Sequence, residues 1–167
     1  MNYISRLAEQ QLLEKLPHPE VLIILGARQV GKTTLVSHYL QGKKIKTLNL
    51  DFLIDRQYFE NLGTLDMPNV LSALKDCDVL VIDEAQNYPE TGRIVKGWYD
   101  KKLPCKVILL GSSSLDLLDQ TAEPLTGRNE KIYLTPLMFT EVLQQQTWFA
   151  HNENISPQMF ETFDPTL

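Results

Sequence analysis

Val21-Leu22-Ile23-Ile24-Leu25-Gly26-Ala27-Arg28-Gln29-Val30-Gly31-Lys32-Thr33-Thr34-Leu35-Val36 decides the fold of this chain. Its first five residues are an unbroken apolar run of the kind buried on both faces of a parallel sheet. Residues 26–33 then satisfy G-x-x-x-x-G-K-[ST] in full. The glycines permit a tight turn and a close backbone approach, so that successive N–H groups point inward at a phosphate. In that pattern Lys32 reaches the β- and γ-phosphates and the Thr33 hydroxyl ligates Mg²⁺. Leu35, Val36, Tyr39 and Leu40 follow at helical spacing, and Gly42 is placed to end the helix. Strand, glycine loop and helix aim a helix N-terminus at an anion. An ordinary glycine turn before a helix is the competing explanation, and the flanking pattern disfavours it. The sequence therefore predicts a nucleoside triphosphate site over Gly26, Ala27, Arg28, Gln29, Val30, Gly31, Lys32, Thr33 and Thr34.

Composition sets the outer bounds. The 167 residues, 43% hydrophobic, suffice for one domain with a real core, and two would be cramped. A net charge of -5 with a pI near 5.2 argues against a nucleic-acid coat protein. Lys43-Lys44-Ile45-Lys46 is the one basic cluster, and a solvated loop after the first phosphate-loop helix accounts for it. Cys77 and Cys105 are too few and too irregular for a disulfide framework or a zinc site, and read as reduced thiols in a cytoplasmic protein. Arg6, Glu9, Glu14 and Lys15 leave no place for the apolar core of a signal peptide in the first twenty residues, and no apolar run approaches a membrane span. His18, His38 and His151 stand apart from one another and read as surface or packing residues.

Along the chain, Ile4, Leu7, Leu12, Leu13 and Leu16 predict a helix within residues 3–16, stopped by Pro17 and Pro19. A second strand is expected over Ile45 to Leu50, and residues 55–68 carry little signal. Val70, Leu71 and Leu74 suggest a helix leading to a third strand, Val79 to Ile82. Pro89 and the stripe Ile94, Val95, Trp98, Tyr99 and Leu103 predict an amphipathic helix. A fourth strand at Val107 to Leu110, a fifth near Ile132 to Leu134 and a helix through Phe139, Val142 and Leu143 complete the pattern. Alternating strands and helices imply an α/β fold with a doubly wound parallel sheet, whose ligands bind beyond the carboxyl ends of the strands. Residues 1–147 are expected to form this domain. The tail at 148–167, with Trp148, Phe149, Met159, Phe160 and Phe163 among polar residues, either packs back on the sheet or begins a further domain.

Two more elements carry chemistry. Val79-Leu80-Val81-Ile82 ends in Asp83-Glu84, the form of a Walker B strand, about fifty residues beyond the loop. In that role Asp83 holds Mg²⁺, while Glu84 orients and deprotonates the attacking water. Gln86 either senses the γ-phosphate or is an exposed polar residue of the connection. Ser112, at the end of the fourth strand, can touch the γ-phosphate or the water, whereas capping of the next helix by Ser113 or Ser114 explains the serines equally well. Arg128, in Leu125-Thr126-Gly127-Arg128, is either a cation for the transferring phosphoryl group of its own or a neighbouring subunit, or a surface arginine at a strand start.

Taken in order, Leu25 to Thr34, Asp83-Glu84-Ala85-Gln86, Leu110-Gly111-Ser112-Ser113-Ser114, Leu125-Thr126-Gly127-Arg128 and Leu134-Thr135-Pro136-Leu137-Met138-Phe139-Thr140-Glu141 resemble the N-terminal module of bacterial and archaeal AAA-type P-loop ATPases that carry a C-terminal domain of unknown function. The resemblance covers roughly residues 3–145. It implies the additional-strand catalytic-glutamate form of the P-loop fold, with strand order 5-1-4-3-2, and ATP as the nucleotide. It also implies that a larger C-terminal domain is missing and that the chain is truncated or a fragment.

The function expected from the sequence is Mg²⁺-dependent ATP hydrolysis, with Lys32, Glu84, Ser112 and Arg128 as catalytic candidates and Thr33 and Asp83 on the metal. A regulatory module that binds nucleotide and hydrolyses it negligibly is the alternative from a different class, and a small-molecule kinase ranks below it. The absence of an Asn-Lys-x-Asp motif argues against GTP. A homo-oligomer is compatible with these residues, and neither a protein nor a nucleic-acid partner can be named from them.

Overall fold

The computed structural model describes residues 3–112 and 124–143. Its centre is strand β1, Val21–Leu25, all five residues of which are buried. Side chains alternate across a strand, so this run supplies two cores at once. Val21, Ile23 and Leu25 face one apolar layer; Leu22 and Ile24 face the other.

Four further strands flank it: β2 (Ile45–Asn49), β3 (Val79–Asp83), β4 (Lys106–Gly111) and β5 (Asn129–Tyr133). All pair in parallel, in the order β2-β3-β4-β1-β5, which is the expected 5-1-4-3-2 read from the opposite edge. Helices α1 (Ala8–Lys15) and α2 (Lys32–Tyr39) contribute Leu12, Leu35 and Val36 to the Leu22 side. Helices α3 (Leu53–Thr64), α4 (Met67–Ala73) and α5 (Thr91–Asp100) contribute Phe59, Leu62, Val70, Val95 and Trp98 to the Ile23 side. Phe59 anchors that layer by meeting Tyr88 and Trp98 edge-on, with ring centroids 5.9 and 5.7 Å away. A short helix, α6 (Phe139–Leu143), ends the described chain.

Several elements depart from the sequence expectation. Helix α1 begins only at Ala8, because Arg6 is drawn inward to buried partners and the Leu7 amide is taken by the Glu141 carboxylate at 2.8 Å. Of its expected core residues only Leu12 is fully buried, while Leu7 and Leu13 are exposed. The unreadable stretch after Asp51 is a twelve-residue helix, α3. Strand β5 starts at Asn129, three residues before the apolar signal, and β2 ends at Asn49, although the Leu50 amide still bonds the Asp83 carbonyl at 3.0 Å. Cys77 and Cys105 are free thiols with sulfurs 3.4 Å apart. Ser113, Ser114, His151 and the aromatic tail lie outside the described residues. Among the described residues no helix is long and apolar enough to cross a membrane.

Candidate functional site

The phosphate loop leaves β1 at its carboxyl end and turns into α2. Its turn depends on two left-handed residues, Gln29 with φ 63° and Gly31 with φ 96°. Gly31 occupies that conformation without steric cost, and it is the residue on which α2 starts. Gly26 is required for a different reason: a Cβ there would run into the Leu134 carbonyl oxygen, the backbone of the chain just past β5. The loop is thus clamped between its own helix and the neighbouring strand, and its Gly26 amide bonds the Gly111 carbonyl at 3.3 Å.

Lys32 is only 6% exposed, and its ammonium lies across the loop, donating to the carbonyls of Gly26 at 2.9 Å and Ala27 at 3.0 Å. Thr33 Oγ1 donates to Asp83 Oδ2 at 2.8 Å. The other Asp83 oxygen accepts the Glu84 amide at 2.9 Å, which fixes the carboxylate. A threonine hydroxyl beside a carboxylate is the oxygen donor pair that a hard divalent cation takes.

Glu84 follows in the left-handed region, with φ 51° and ψ 43°. A non-glycine residue held there costs of order 1–2 kcal/mol, and such strain concentrates at functional sites. The turn throws the Glu84 side chain off the strand axis, where its Oε2 accepts Gln86 Nε2 at 2.6 Å. The Gln86 amide oxygen is buried without a hydrogen-bond partner. Lys32, Thr33, Thr34, Gln29, Gly31, Asp83 and Glu84 together line a cavity of about 230 Å³. It adjoins a larger one of about 710 Å³, which shares Gln29, Gly31, Thr33 and Thr34 and extends to Tyr3, Arg6, His38 and Leu137. Tyr3 and His38 stack on its wall, ring centroids 3.8 Å apart.

The remaining sequence candidates are placed unequally. Ser112 directly follows Gly111, whose strand partner is Leu25, so it stands at the loop's edge of β4, between the strands that carry the two motifs. Arg28 points outward, 74% exposed, toward Asp51 at 3.7 Å. Arg128 is not at the site. It precedes β5, its carbonyl bonds the Val21 amide at 2.9 Å, and its guanidinium is held by Asp100 Oδ1 at 2.6 Å. That is the amino end of β1, a strand length or about 16 Å from the loop. The expectation that Arg128 can reach the γ-phosphate of its own chain is thereby corrected: a parallel sheet puts residues before strands at the end opposite to its ligands.

Two residues that sequence reasoning passed over complete the site's frame. Arg6, noted only as a charge that interrupts a leader, is 8% exposed, and its Nη1 donates to the Val30 carbonyl inside the loop at 2.9 Å. Glu141, seen only as part of a motif, is its buried partner at 3.1 Å. A charged residue among apolar helix positions was the available signal for Arg6.

Fold and loop together define a P-loop nucleotide-binding domain with ATPase-like organisation. The AAA domain family matches residues 18–143, and the chain belongs to that family. Uncharacterized proteins Mb2031c of Mycobacterium bovis and Rv2008c of Mycobacterium tuberculosis are each 31% identical over 136 residues. Those residues are 81% of this chain but 29% of each relative, so the chain spans under a third of their length. Among solved structures, the Walker-type ATPase PABY2304 of Pyrococcus abyssi superposes with a TM-score of 0.62 at 19% identity, over 85% of this chain and 56% of that one. A Bacteroides Pif1 bound to single-stranded DNA superposes with a TM-score of 0.54 at 13% identity, over 82% and 43%. At these identities the two structures speak to the fold alone.

Proposed function

We propose that this chain is a Mg²⁺-dependent ATP hydrolase. The observation that carries the proposal is the 2.8 Å contact between Thr33 and Asp83 at the rim of a phosphate loop whose lysine is already folded into it. The 230 Å³ cavity suits the phosphates, and the adjoining larger cavity, with its Tyr3–His38 stack, suits the nucleoside.

In this reading the loop's amides and Lys32 hold the β- and γ-phosphates, and α2 directs its positive end at them. Thr33 and Asp83 hold the cation, which when bound neutralises the charge developing on the phosphate oxygens. Glu84, adjacent to Asp83 but turned away by its left-handed backbone, is free to accept the proton of the attacking water. Gln86 orients that carboxylate through the 2.6 Å hydrogen bond. Ser112 supports the γ-phosphate or the water from β4.

Phosphate release by the purified chain tests this reading. Glu84→Gln is expected to keep ATP affinity and to lose roughly 10² to 10⁴ in turnover, the usual worth of a general base. Release at the background rate by wild type with tight ATP binding would favour a regulatory nucleotide-binding module instead. Unchanged turnover in Glu84→Gln would remove Glu84 from the chemistry. Phosphate transfer to an added small-molecule acceptor in place of release would favour a kinase.

A further inference from the structure

The motif Pro136 to Glu141 takes no part in the chemistry above, yet it ends in a carboxylate that is 2% exposed. Glu141 Oε2 accepts from Arg6 Nε at 3.1 Å and from the Met138 amide at 2.8 Å, and Oε1 accepts the Leu7 amide at 2.8 Å. The two other nitrogens of Arg6 leave that pair in different directions. Nη2 donates to the Thr135 carbonyl at 2.6 Å, and Nη1 donates to the Val30 carbonyl at 2.9 Å. One planar group therefore ties the segment before α1, the stretch between β5 and α6, and the phosphate loop to a common point. Only a guanidinium carries donors in that fixed fork.

The Val30 carbonyl belongs to the same rigid peptide unit as the Gly31 amide, and in a trans peptide the two point in opposite directions. No cis bond occurs among the described residues. Arg6 holds the carbonyl toward itself, and the Gly31 amide is thereby turned away from Arg6, at a residue that lines both cavities. Gly31, at φ 96°, has the conformational freedom that makes such a restraint necessary. Arg6 acts through geometry more than through charge, because Glu141 neutralises it at close range and makes its burial tolerable.

Resting on the assignment of residues 26–34 to a nucleoside triphosphate, we propose that Arg6 is a positioning residue of the phosphate loop. Glu141 is the counter-ion that permits it to sit there. Phosphate recognition in this chain then depends on an ion pair between positions 135 apart in sequence.

Calorimetric titration of the full chain with Mg²⁺·ATP and with Mg²⁺·tripolyphosphate, a probe that has phosphates and no nucleoside, tests the assignment. Arg6→Lys keeps the charge but offers its donors from a single nitrogen, without the planar fork that reaches these three separated acceptors. Arg6→Met combined with Glu141→Gln removes both charges, so that neither is left buried and unpaired. Thermal unfolding identifies which variants are folded. The expected result is a loss of about tenfold in affinity for both probes, the scale of one lost charge-assisted hydrogen bond, in a variant whose melting midpoint stays at the wild-type value. Loss for ATP with tripolyphosphate unaffected would place Arg6 at the nucleoside end and overturn the proposal. So would wild-type affinity for both probes, provided that Lys32→Ala loses both. Wild-type binding by Lys32→Ala would instead retire the underlying site.

Discussion

Thr33 Oγ1 and Asp83 Oδ2 meet at 2.8 Å although they stand fifty positions apart and start from strands that are not neighbours. β4 lies between β1 and β3, so the first turn of α2 must lean over β4 to bring its hydroxyl to the carboxylate. That arrangement makes a definite prediction about the metal. Asp83→Asn preserves a hydrogen-bonding side chain of the same shape but removes the charge that a hard cation requires. Affinity for ATP in the presence of Mg²⁺ should fall by about tenfold, the scale of a perturbed metal shell, to the value measured in chelator, whereas affinity in chelator should not change. Thr33→Ala should behave the same way, and Glu84→Gln should not. Equal Mg²⁺ dependence in wild type and Asp83→Asn would show that Asp83 is not a ligand.

The parts of this site that were legible in the sequence are those in which local chain and chemistry coincide. The loop, its lysine and its threonine are contiguous, and Asp83-Glu84 closes a strand whose apolar run announces it. Strand order was legible only through the resemblance, since no local pattern says which strands are neighbours. Helix α3 was hidden because its first residues, Leu53 and Ile54, are exposed and only Phe59 and Leu62 are buried, so its apolar residues do not mark one face. Gly63, near its end, also weakens a helical signal, yet it is where α3 meets Ile94 of α5 too closely for a Cβ. The roles of Arg6 and Glu141 were hidden for the opposite reason, although the charge of Arg6 among apolar positions was itself visible. Each is an ordinary charged residue until the sheet brings β5's end beside the loop.

Arg128 illustrates how a family motif can be placed by topology. Its ion pair with Asp100 joins the end of α5 to the entry of β5, and both side chains are partly exposed, so Arg128→Ala should lower stability by no more than about 1 kcal/mol. ATP affinity should be unchanged, because the residue lies at the far end of its own sheet. An arginine donated to a neighbouring molecule is typically worth about 10³ to 10⁵ in rate. Specific activity that rises with protein concentration in wild type, and stays flat and low in Arg128→Ala, would assign it that role between subunits. Activity independent of both concentration and substitution would confine it to the Asp100 contact.

Glu9 ties the wall of the larger cavity to pH through its bonds to Tyr3 and Tyr39. Burial alone would raise its carboxyl, but hydrogen bonds from Tyr39, Ser5 and Tyr3 and from the Arg6 amide outweigh that and hold it below its ordinary value of 4.5. Burial first, and then the hydrogen bond and charge of Glu9, push the Tyr39 hydroxyl up to about 12. A carboxylate whose folded value lies below its unfolded one contributes stability that is present above the unfolded value and lost as pH falls through the folded one. The wild-type chain should therefore lose melting temperature as pH drops from about 4.5 downward, and Glu9→Gln should lose less over the same interval, having begun lower at pH 7. The two midpoints should converge once the pH has fallen below the folded value of the wild-type carboxyl. Because Glu9 also fixes Tyr3, which lines the larger cavity and stacks on His38, Glu9→Gln should weaken ATP binding at neutral pH while leaving tripolyphosphate binding unchanged. A gap in melting midpoint that stays constant from pH 7 to pH 3 would show that Glu9 contributes through packing and not through its charge.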